Sequence, residues 1–443
     1  MLYNKVLENF ILPAGDAVFQ TNFINELKRW RNDISQLNPE DLAALQKQNL
    51  ATLLKYGVEK IPYYQRLNIE LSNNPYNDIK KFPLLTKQIL KQNINHLHAG
   101  NSKELVAENS SGSSGFQTTV YMSKKERAQA QAAQTYLWEF GGYKPGEKLL
   151  QTGISPHRGL IKSLKDIFFR TRYADAYNLS EEKIYYALKK AKSRKYKYFA
   201  GFASSLNSFA KVAIARNLEI NFSGVMLWGD KLFDEYKRNI EKAFGNPLIV
   251  EQYGSAEGFI ISGTCVYGRH HILSPHVYIE LLDKDGNEVA AGSMGHVVVT
   301  RLDAYSFPLI RYTLGDLAIK EDDDIECPCG KHFPLLKKII GRDTDVVQTP
   351  AGKDLIVHFF TGIFEHFQEI EQFCIIQKQK NGIEIQYIPA AKFDVLILDK
   401  IEDEIFTKAK ENFSIHWVQV NNIPATPSGK PQIIKNFIAE KLT

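Results

Sequence analysis

The sequence predicts an α/β protein with a large multi-layer domain over residues 1–341 and a small α+β domain over residues 342–443. From about residue 145, strand-like apolar runs alternate with amphipathic helical stretches, which is typical of α/β layers. Strands dominate after residue 272. Beyond the boundary the pattern changes to a hairpin around Asn381 and Gly382 between helical stretches, which favours a separate α+β unit.

The N-terminal third reads as helical. In "LNPEDLAALQKQNLATLLKYG", Asn38 is a suitable N-cap and Pro39 occupies the first helical position. The leucines recur at helical spacing, and Gly57 can end the helix. We therefore expect a helix from Pro39 to about Gly57.

The central part supplies the alternating elements. "KIYYALKKAKSRKYKYFAGF" predicts a helix followed by a strand, and "FSGVMLWGDKL" a buried strand. "DEYKRNIEKAFG" predicts a helix closed by Gly245, and "NPLIVEQYG" another strand. Two further strands, "HVYIELL" and "MGHVVVTRL", flank a turn at Asp285 and Gly286.

Composition excludes several classes of function. Lys and Arg number 55 against 50 for Asp and Glu, and this excess is too small and too diffuse to predict nucleic-acid binding. The N-terminus lacks the pattern of a signal peptide, and no apolar run is long enough for a membrane-spanning helix. Four cysteines do not form a disulfide framework in a chain of 443 residues. We expect a cytoplasmic protein.

A Ser/Gly-rich stretch, "NSSGSSGFQTT" at residues 109–119, lies between two strand-like segments, "ELVAE" and "TTVYM". Ser123 then begins a helix, with Glu126 completing a capping box. Glycines let a backbone approach an anion closely, and hydroxyls and amides donate to it. The stretch lacks the Gly-Lys-Ser/Thr of a Walker loop. It predicts a phosphate-binding loop, with a slack linker as the alternative.

Three later stretches place single polar residues beside Gly or Pro in apolar surroundings. Glu257, in "EQYGSAEG", is a suitable metal-binding carboxylate, and Tyr253 offers an aromatic face for a base. Asp316, in "FPLIRYTLGDLA", is placed to accept ribose hydroxyls. Lys430, in "IPATPSGKPQIIK", lies in a loop that can reach a site. Each alone is also compatible with an ordinary loop charge, but together they describe an ATP site.

Seven segments, in this order, resemble motifs of the adenylate-forming superfamily and most closely its phenylacetate–CoA ligase branch. They are "IPYYQRL", "FPLLTK", "SSGSSGFQTT", "YGSAE", "LIRYTLGD", "GRDTD" and "PATPSGK". The resemblance runs through nearly the whole chain. It implies an N-terminal domain of the adenylate-forming type, with ATP and acyl pockets, and a mobile C-terminal lid that rotates between two half-reactions.

The resemblance also implies roles for individual residues. Tyr253, with Gly254 beside it, would bind adenine, Asp316 would bind the ribose, and Arg342 would contact the nucleotide near the hinge. Glu257 would bind Mg²⁺, and Lys430 would bridge the attacking carboxylate and the α-phosphate of ATP. The ATP phosphates would be held by Ser110, Ser111, Gly112, Ser113, Ser114, Gly115 and Thr118.

The implied reaction converts a carboxylic acid, aromatic or arylalkanoic by resemblance, to an acyl-adenylate and then transfers the acyl group to the thiol of coenzyme A. Two alternatives stay open for the acceptor: a carrier-protein phosphopantetheine, or an amine in surface polysaccharide or pigment biosynthesis. Ala256 stands where the family usually has Ser or Thr, which keeps a non-catalytic nucleotide-binding homologue as a further alternative. A homodimer is also left open.

A second cluster of candidate ligands consists of cysteine and histidine. "ECPCGKH" places Cys327 and Cys329 one residue apart, and "GTCVYGRHH" adds Cys265 with His271, the better match to the family pattern of its histidine pair. Three cysteines and one histidine are a common structural zinc set. The pattern predicts a zinc site, with buried cysteines beside a surface histidine pair as the alternative. Cys374, in the C-terminal hairpin, is expected in the core.

Overall fold

The computed structural model describes residues 2–99, 105–109, 119–153, 159–176, 179–255, 257–364, 366–424 and 432–438. The chain begins with helices that cover one side of the molecule, and a π-helical turn joins the first two of them. They are α1 (Leu2–Val6), α2 (Leu12–Phe19), α3 (Phe23–Asn32), α4 (Pro39–Lys60), α5 (Pro62–Gln65), α6 (Pro75–Asp78) and α7 (Lys87–Asn93).

Helix α4 begins as the sequence predicts but ends later. The Asn38 side chain accepts a hydrogen bond from the amide of Asp41. The expected end at Gly57 is wrong, because the helix continues to Lys60. A Cβ at position 57 would lie 3.0 Å from Cδ1 of Ile310. Gly57 therefore serves close packing of α4 against the core rather than termination.

The Ser/Gly-rich stretch is flanked by two ordered strands, as expected. Strands β1 (Val106–Asn109) and β2 (Thr119–Met122) pair in antiparallel fashion, with Asn109 opposite Thr119. Helix α8 (Lys124–Trp138) follows at once. Its capping box is present, because the Ser123 hydroxyl accepts from the Glu126 amide and the Glu126 carboxylate accepts from the Ser123 amide.

Within the described residues, eleven strands form one large mixed sheet. Five parallel strands alternate with helices, and six mostly antiparallel strands extend the sheet. The alternating part is β3 (Leu149–Gly153), α9 (Gly159–Phe168), β4 (Thr171–Asp175), α10 (Glu181–Ser193), β5 (Tyr198–Phe202), α11 (Ala203–Ala215), β6 (Gly224–Trp228), α12 (Asp234–Phe244) and β7 (Leu248–Gly254). The extension is β8 (Ile260–Thr264), β9 (His270–Ile272), β10 (Val277–Leu282), β11 (Met294–Arg301), β12 (Tyr312–Lys320) and β13 (Leu335–Arg342).

The strand order across the sheet is β10-β11-β12-β13-β9-β8-β7-β6-β5-β3-β4. Strand β7 joins the two parts, because it is parallel to β6 and antiparallel to β8. Helices α10, α11 and α12 pack on the parallel half around a core that includes Phe199, Phe209 and Phe244. The mixed α/β architecture predicted from the sequence is confirmed.

A smaller α+β unit forms the C-terminal part. Its four-stranded sheet has the order β18-β17-β16-β19, and the expected hairpin turns at Asn381 and Gly382. Cys374 is fully buried, as expected. The boundary after residue 341 stays a prediction. The elements are β14 (Val346–Gln348), β15 (Asp354–Ile356), α13 (Val357–Phe364), β16 (Ile370–Gln379), β17 (Gly382–Pro389), α14 (Leu396–Ala409), β18 (Ser414–Gln419) and β19 (Ile434–Asn436).

In the part of the chain that the structure describes, no helix combines the length and the apolar character needed to cross a membrane.

Candidate active site

Three of the residues predicted to bind nucleotide are in direct contact. The Tyr253 hydroxyl donates to Oδ2 of Asp316 at 2.9 Å, and Nε of Arg342 lies 3.1 Å from Oδ1 of the same carboxylate. Asp316 and Arg342 are opposite each other in the β12–β13 pairing. The arrangement is fixed by the sheet, because Tyr253 is the penultimate residue of β7 at the carboxyl end of the parallel strands.

Glycines shape the backbone around this contact. A Cβ on Gly254 would lie 2.4 Å from the carbonyl oxygen of Phe259, so only glycine permits the tight return of the chain into β8. Gly315 has a φ of 73°, in the left-handed region that favours glycine, immediately before Asp316. These positions let three strands bring their polar side chains to one point.

The protonation states suit an anion-centred cluster. Burial raises the pKa of Tyr253 well above its ordinary value, and the nearby Asp316 carboxylate adds to this. The hydroxyl therefore stays a donor at neutral pH. Asp316 raises the pKa of the Arg342 guanidinium more than any other group, so the guanidinium stays protonated. An ionised carboxylate has about four acceptor positions, and the two hydrogen-bonding neighbours leave Asp316 room for a diol.

Glu257, the predicted Mg²⁺ ligand, is buried at the carboxyl edge of the sheet. The hydroxyl of Tyr312, at the start of β12, donates to its Oε1 at 3.0 Å. Tyr312 itself stacks on Phe259 with ring centroids 5.9 Å apart. A Cβ on Gly258 would lie 2.8 Å from Cε of Met122. The Glu257 segment is thus packed against the strand that follows the Ser/Gly-rich stretch.

Lys87, to which the sequence analysis assigns no role, lies in the same region. Burial lowers its pKa, and the Arg342 guanidinium acts in the same direction, whereas the carboxylates of Glu257, Asp316 and Asp343 raise it. The ammonium group is therefore within electrostatic range of the cluster. Its signals in the sequence are the segment "FPLLTK", which it ends, and its place in the first turn of a helix, where a positive charge opposes the helix dipole.

Backbone pairing brings Lys87 to the site. The amide of Leu85 donates to the carbonyl of Arg311 at 2.9 Å, and the amide of Thr313 donates to the carbonyl of Leu85 at 3.1 Å. This short bridge lays the segment along β12. Thr86 then caps α7, so that Lys87 begins the helix close to Asp316. The contact spans more than two hundred residues of sequence.

Arg311 holds the segment that leads to Lys87 against the sheet. Its guanidinium makes a two-point contact with Glu280, with Nε 3.0 Å from Oε2 and Nη2 2.8 Å from Oε1. Nη1 donates to the carbonyl of Phe82 at 3.0 Å. Arg311 has a φ of 56°, an unusual value for a side chain of this size. The ion pair joins β10 and β12 to the chain that leads to Lys87.

The predicted phosphate-binding residues Ser110, Ser111, Gly112, Ser113, Ser114, Gly115 and Thr118 lie outside the described residues, as do Ala256 and Lys430. The β1–β2 pair fixes both ends of the phosphate segment. Glu126 anchors the helix that follows, because its Oε1 accepts from the amides of Tyr305 and Ser306 at 2.6 and 2.7 Å.

The four predicted zinc ligands converge about a single point on the sheet. The ligand atoms of Cys265, His271, Cys327 and Cys329 all lie within 4.8 Å of one another. Sγ of Cys265 is 3.5 Å from Sγ of Cys327, and Sγ of Cys329 is 3.2 Å from Nε2 of His271. Neighbouring His270 contacts Ser262 instead, with Oγ 3.4 Å from Nδ1. Of the histidine pair, the structure places His271 with the cysteines.

The sequence is similar to several known proteins. A family model described as the CapK C-terminal domain matches residues 347–437. Protein CapK of Staphylococcus aureus is 23% identical over 99% of both chains. The phenylacetate-coenzyme A ligase of Thermus thermophilus is 24% identical over 72% of this chain and 74% of that enzyme.

A solved structure of 2-hydroxyisobutyryl-CoA ligase in complex with an acyl-AMP superposes with a TM-score of 0.71 at 18% identity. The match covers 91% of each chain. At this level of identity the likeness concerns the fold. The homologues and structural neighbours are adenylate-forming ligases, and this chain has their fold, with a CapK-type C-terminal domain.

Proposed function

We propose that this protein is an ATP-dependent acid ligase that converts an aromatic or arylalkanoic carboxylic acid to an acyl-adenylate and then transfers the acyl group to coenzyme A. The observation that carries the proposal is the contact of Tyr253 and Arg342 with the two oxygens of Asp316, beside Glu257. A carboxylate held in this way at the carboxyl ends of parallel strands suits a ribose diol.

The binding of ATP follows from these positions. Asp316 accepts the two ribose hydroxyls through its remaining lone pairs, and Tyr253, beside it, offers its ring face to the adenine. Lys87 approaches the phosphates from the N-terminal domain. The Ser110–Gly115 loop with Thr118, which lies outside the described residues, would hold them through its amides and hydroxyls. Arg342 offsets charge near the hinge.

The first half-reaction joins two anions. The substrate carboxylate attacks the α-phosphorus of ATP, the acyl-phosphate bond forms, and the bond to pyrophosphate breaks. Lys430, supplied by the C-terminal domain, would bridge the two anions, and its replacement by Ala should abolish adenylation while ATP still binds. Mg²⁺, for which the buried Glu257 carboxylate offers a hard oxygen ligand, would supply further neutralisation of phosphate charge.

The acceptor and the acid are the finer parts of the proposal. A thiol acceptor follows from the resemblance to the phenylacetate–CoA ligases, whereas the full-length match to protein CapK favours a capsule-related role, in which an amine or a carrier protein would accept the acyl group. Phe202 and Trp228, with ring centroids 6.3 Å apart, lie in the region proposed for the acyl pocket. Trp228 also stacks on Trp138 at 5.5 Å.

Release of pyrophosphate tests the proposal. The protein is incubated with ATP, Mg²⁺ and a panel of aryl and alkyl carboxylic acids, first without and then with coenzyme A. We expect release that depends on one class of acid and is stimulated by coenzyme A. Acid-dependent release that amines or a loaded carrier protein stimulate, but coenzyme A does not, would transfer the proposal to the alternative acceptor. Binding of ATP without release for any acid would contradict an adenylating function.

We also propose that Cys265, His271, Cys327 and Cys329 hold a structural zinc ion. The ligand set and its close spacing support this, because structural zinc sites take four Cys and His ligands in tetrahedral arrangement. The cluster ties the loop after β8 and strand β9 to the segment before β13. Zinc there would brace the sheet on the side away from the nucleotide.

Metal analysis of the purified protein tests the zinc proposal. We expect about one zinc per chain, lost in a Cys327→Ser variant and retained in a Cys374→Ser variant, since Cys374 is buried in the C-terminal hairpin away from the cluster. A strong chelator should lower the melting temperature of the wild-type protein. Absence of zinc from protein expressed in zinc-supplemented medium would refute the proposal.

A further inference from the structure

An open cleft of about 820 Å³ lies at the amino ends of strands β3, β4 and β5. Five cations line it against one carboxylate, that of Asp166. The contact of Tyr253 with Asp316 and Arg342, which we call the nucleotide cluster, lies at the carboxyl ends of the parallel strands, so the cleft occupies the opposite edge of the same sheet. We call it the basic cleft and define it by Lys148, Arg170, Arg172, Arg194 and Lys195.

The charge of the basic cleft is concentrated although the charge of the chain is not. Residues 189–197 contain six Lys or Arg and no acid. Among the described residues, no ion pair engages the five cations that define the cleft. The Lys148 ammonium donates to the backbone carbonyl of Arg194 at 2.7 Å, which gathers two of them at one point. The cleft therefore presents a positive field to an external anion.

Apolar side chains project beside the basic cleft. On α9, Leu164 and Ile167 are 55% and 69% exposed, and Ile167 also lines the cleft. On α1, Leu2 and Val6 are 80% and 40% exposed. We call these four residues, with Phe168, the apolar ridge. Single exposed apolar side chains are common, but a contiguous group of them beside polar residues marks an interaction surface.

Direct contacts make the cleft and the ridge one surface. The Arg170 guanidinium lies 3.6 Å from the centre of the Tyr3 ring, and the Tyr3 hydroxyl donates to the carbonyl of Phe168 at 2.6 Å. Helix α1 is thereby held against the end of α9. Leu2 and Val6, one position before the inward-facing Tyr3 and Leu7, share an adjacent face of the helix.

We propose that this surface docks the protein on an anionic phospholipid membrane, with the basic cleft binding headgroup phosphates and the apolar ridge inserting between them. Cations next to exposed aliphatic side chains are the pattern of interfacial membrane binding. A nucleic acid would use the cations but not the ridge. A second copy of this chain, related by a two-fold axis through the surface, would bring the same cations against one another.

Sedimentation with vesicles tests the proposal. Wild-type protein is mixed with vesicles of phosphatidylcholine alone and of phosphatidylcholine with phosphatidylglycerol. We expect binding to the anionic vesicles that weakens with salt, and little binding to the neutral ones. An Arg172→Gln, Arg194→Gln, Lys195→Gln variant should bind roughly a hundredfold more weakly. A Leu164→Ser, Ile167→Ser variant should lose roughly tenfold.

The control variant removes the same number of positive charges as the cleft variant, at exposed positions elsewhere. A Lys47→Gln, Lys55→Gln, Lys60→Gln variant removes three exposed charges from α4 and should bind like wild type. Circular dichroism and pyrophosphate release without vesicles should be unchanged in all three variants, because none of these residues touches the nucleotide cluster.

Several results would overturn the proposal. Equal loss in the α4 variant would show that total charge, not this surface, governs binding. Failure to bind anionic vesicles, with retention on duplex RNA, would assign the cleft to nucleic acid. Dimers that dissociate in the Leu164→Ser, Ile167→Ser variant would assign the ridge to a second copy.

Discussion

Two arginine–carboxylate pairs lie in the antiparallel part of the sheet and differ in exposure and in contact geometry. Arg311 and Glu280 are 10% and 1% exposed and make a two-point contact. Arg342 and Asp316 are 37% and 12% exposed and make a single contact at 3.1 Å. In the first pair, Arg311 also donates to the backbone carbonyl of Phe82. In the second, Asp316 also accepts from the hydroxyl of Tyr253.

We expect this difference to separate a structural pair from one that binds nucleotide. In a closed two-point contact, each charge depends on its partner, because neither group can regain solvation. An open one-point contact leaves lone pairs and solvent access for a ligand. The sealed pair should therefore control stability, and the open pair should control nucleotide binding.

The largest expected effect is on stability, in an Arg311→Met variant. Burial raises the pKa of Glu280 and Arg311 opposes this, so removal of Arg311 leaves a buried carboxylate without its cation. We expect the free energy of unfolding to fall by about 3–5 kcal/mol. Denaturant unfolding measures this. The matched Arg342→Met variant should lose less than about 1 kcal/mol, and equal losses in the two variants would contradict the distinction.

The next largest effect is on nucleotide use, in an Asp316→Asn variant. Loss of charge-assisted hydrogen bonds to the ribose should lower kcat/KM for ATP about 10- to 100-fold with little change in stability. Steady-state kinetics with 2′-deoxy-ATP sharpen the test. The fold-loss in kcat/KM caused by Asp316→Asn should be smaller with 2′-deoxy-ATP than with ATP. An equal fold-loss with both nucleotides would place the carboxylate away from the ribose.

A smaller effect is expected from Lys87→Met, which removes the cation next to the open pair. The variant should raise KM for ATP about tenfold, because one charge-assisted contact to phosphate is lost. A Lys91→Met variant on the same helix serves as control, since Lys91 is exposed. Equal KM values for ATP in the two variants would show that Lys87 does not contact the nucleotide.

The last prediction concerns the pH dependence of stability, through Asp345. Burial raises the pKa of Asp345 to about 7, against the opposing effect of Arg342, while Asp316 raises it further. The folded protein thus binds a proton more tightly than the unfolded chain. Stability from this group is complete below about pH 4 and is lost as pH rises through 7.

An Asp345→Asn variant cannot ionise, so it should match wild type near pH 4 and become more stable than wild type as pH rises through 7. Thermal unfolding at pH 4 and pH 8 measures this. The exposed Asp323→Asn control, at a side chain 86% accessible, should show no pH-dependent difference. A destabilised Asp345→Asn protein at pH 8 would contradict this prediction, because it would mean that Arg342 stabilises the ionised Asp345 more than burial penalises it.

Local signals predicted the elements whose determinants are local. The Ser123–Glu126 capping box, the left-handed Gly245 at the end of α12 and the hairpin at Asn381 and Gly382 are present as expected. Gly57 was a wrong helix end because its role is a tertiary contact with Ile310, which no local pattern shows.

The site was predictable only where its residues fall in recognisable segments. Tyr253, Asp316 and Arg342 come from three such segments, and the sheet brings them together. Lys87 ends the segment "FPLLTK", but the segment alone assigns it no role, because its approach to Asp316 depends on the bridge from Leu85 to β12, far away in sequence. The net charge of the whole chain does not predict the basic cleft. The cleft forms because the fold brings the amino ends of β3, β4 and β5, with their Lys and Arg residues, to one place.

Acid-dependent exchange of labelled pyrophosphate into ATP tests the adenylation proposal most directly, since it needs only the first half-reaction and no acceptor. With Mg²⁺ and an acid substrate, we expect exchange in the wild-type protein, strong reduction in Asp316→Asn and none in Lys430→Ala. Exchange that is independent of every carboxylic acid, or that survives in Lys430→Ala, would contradict the proposed function.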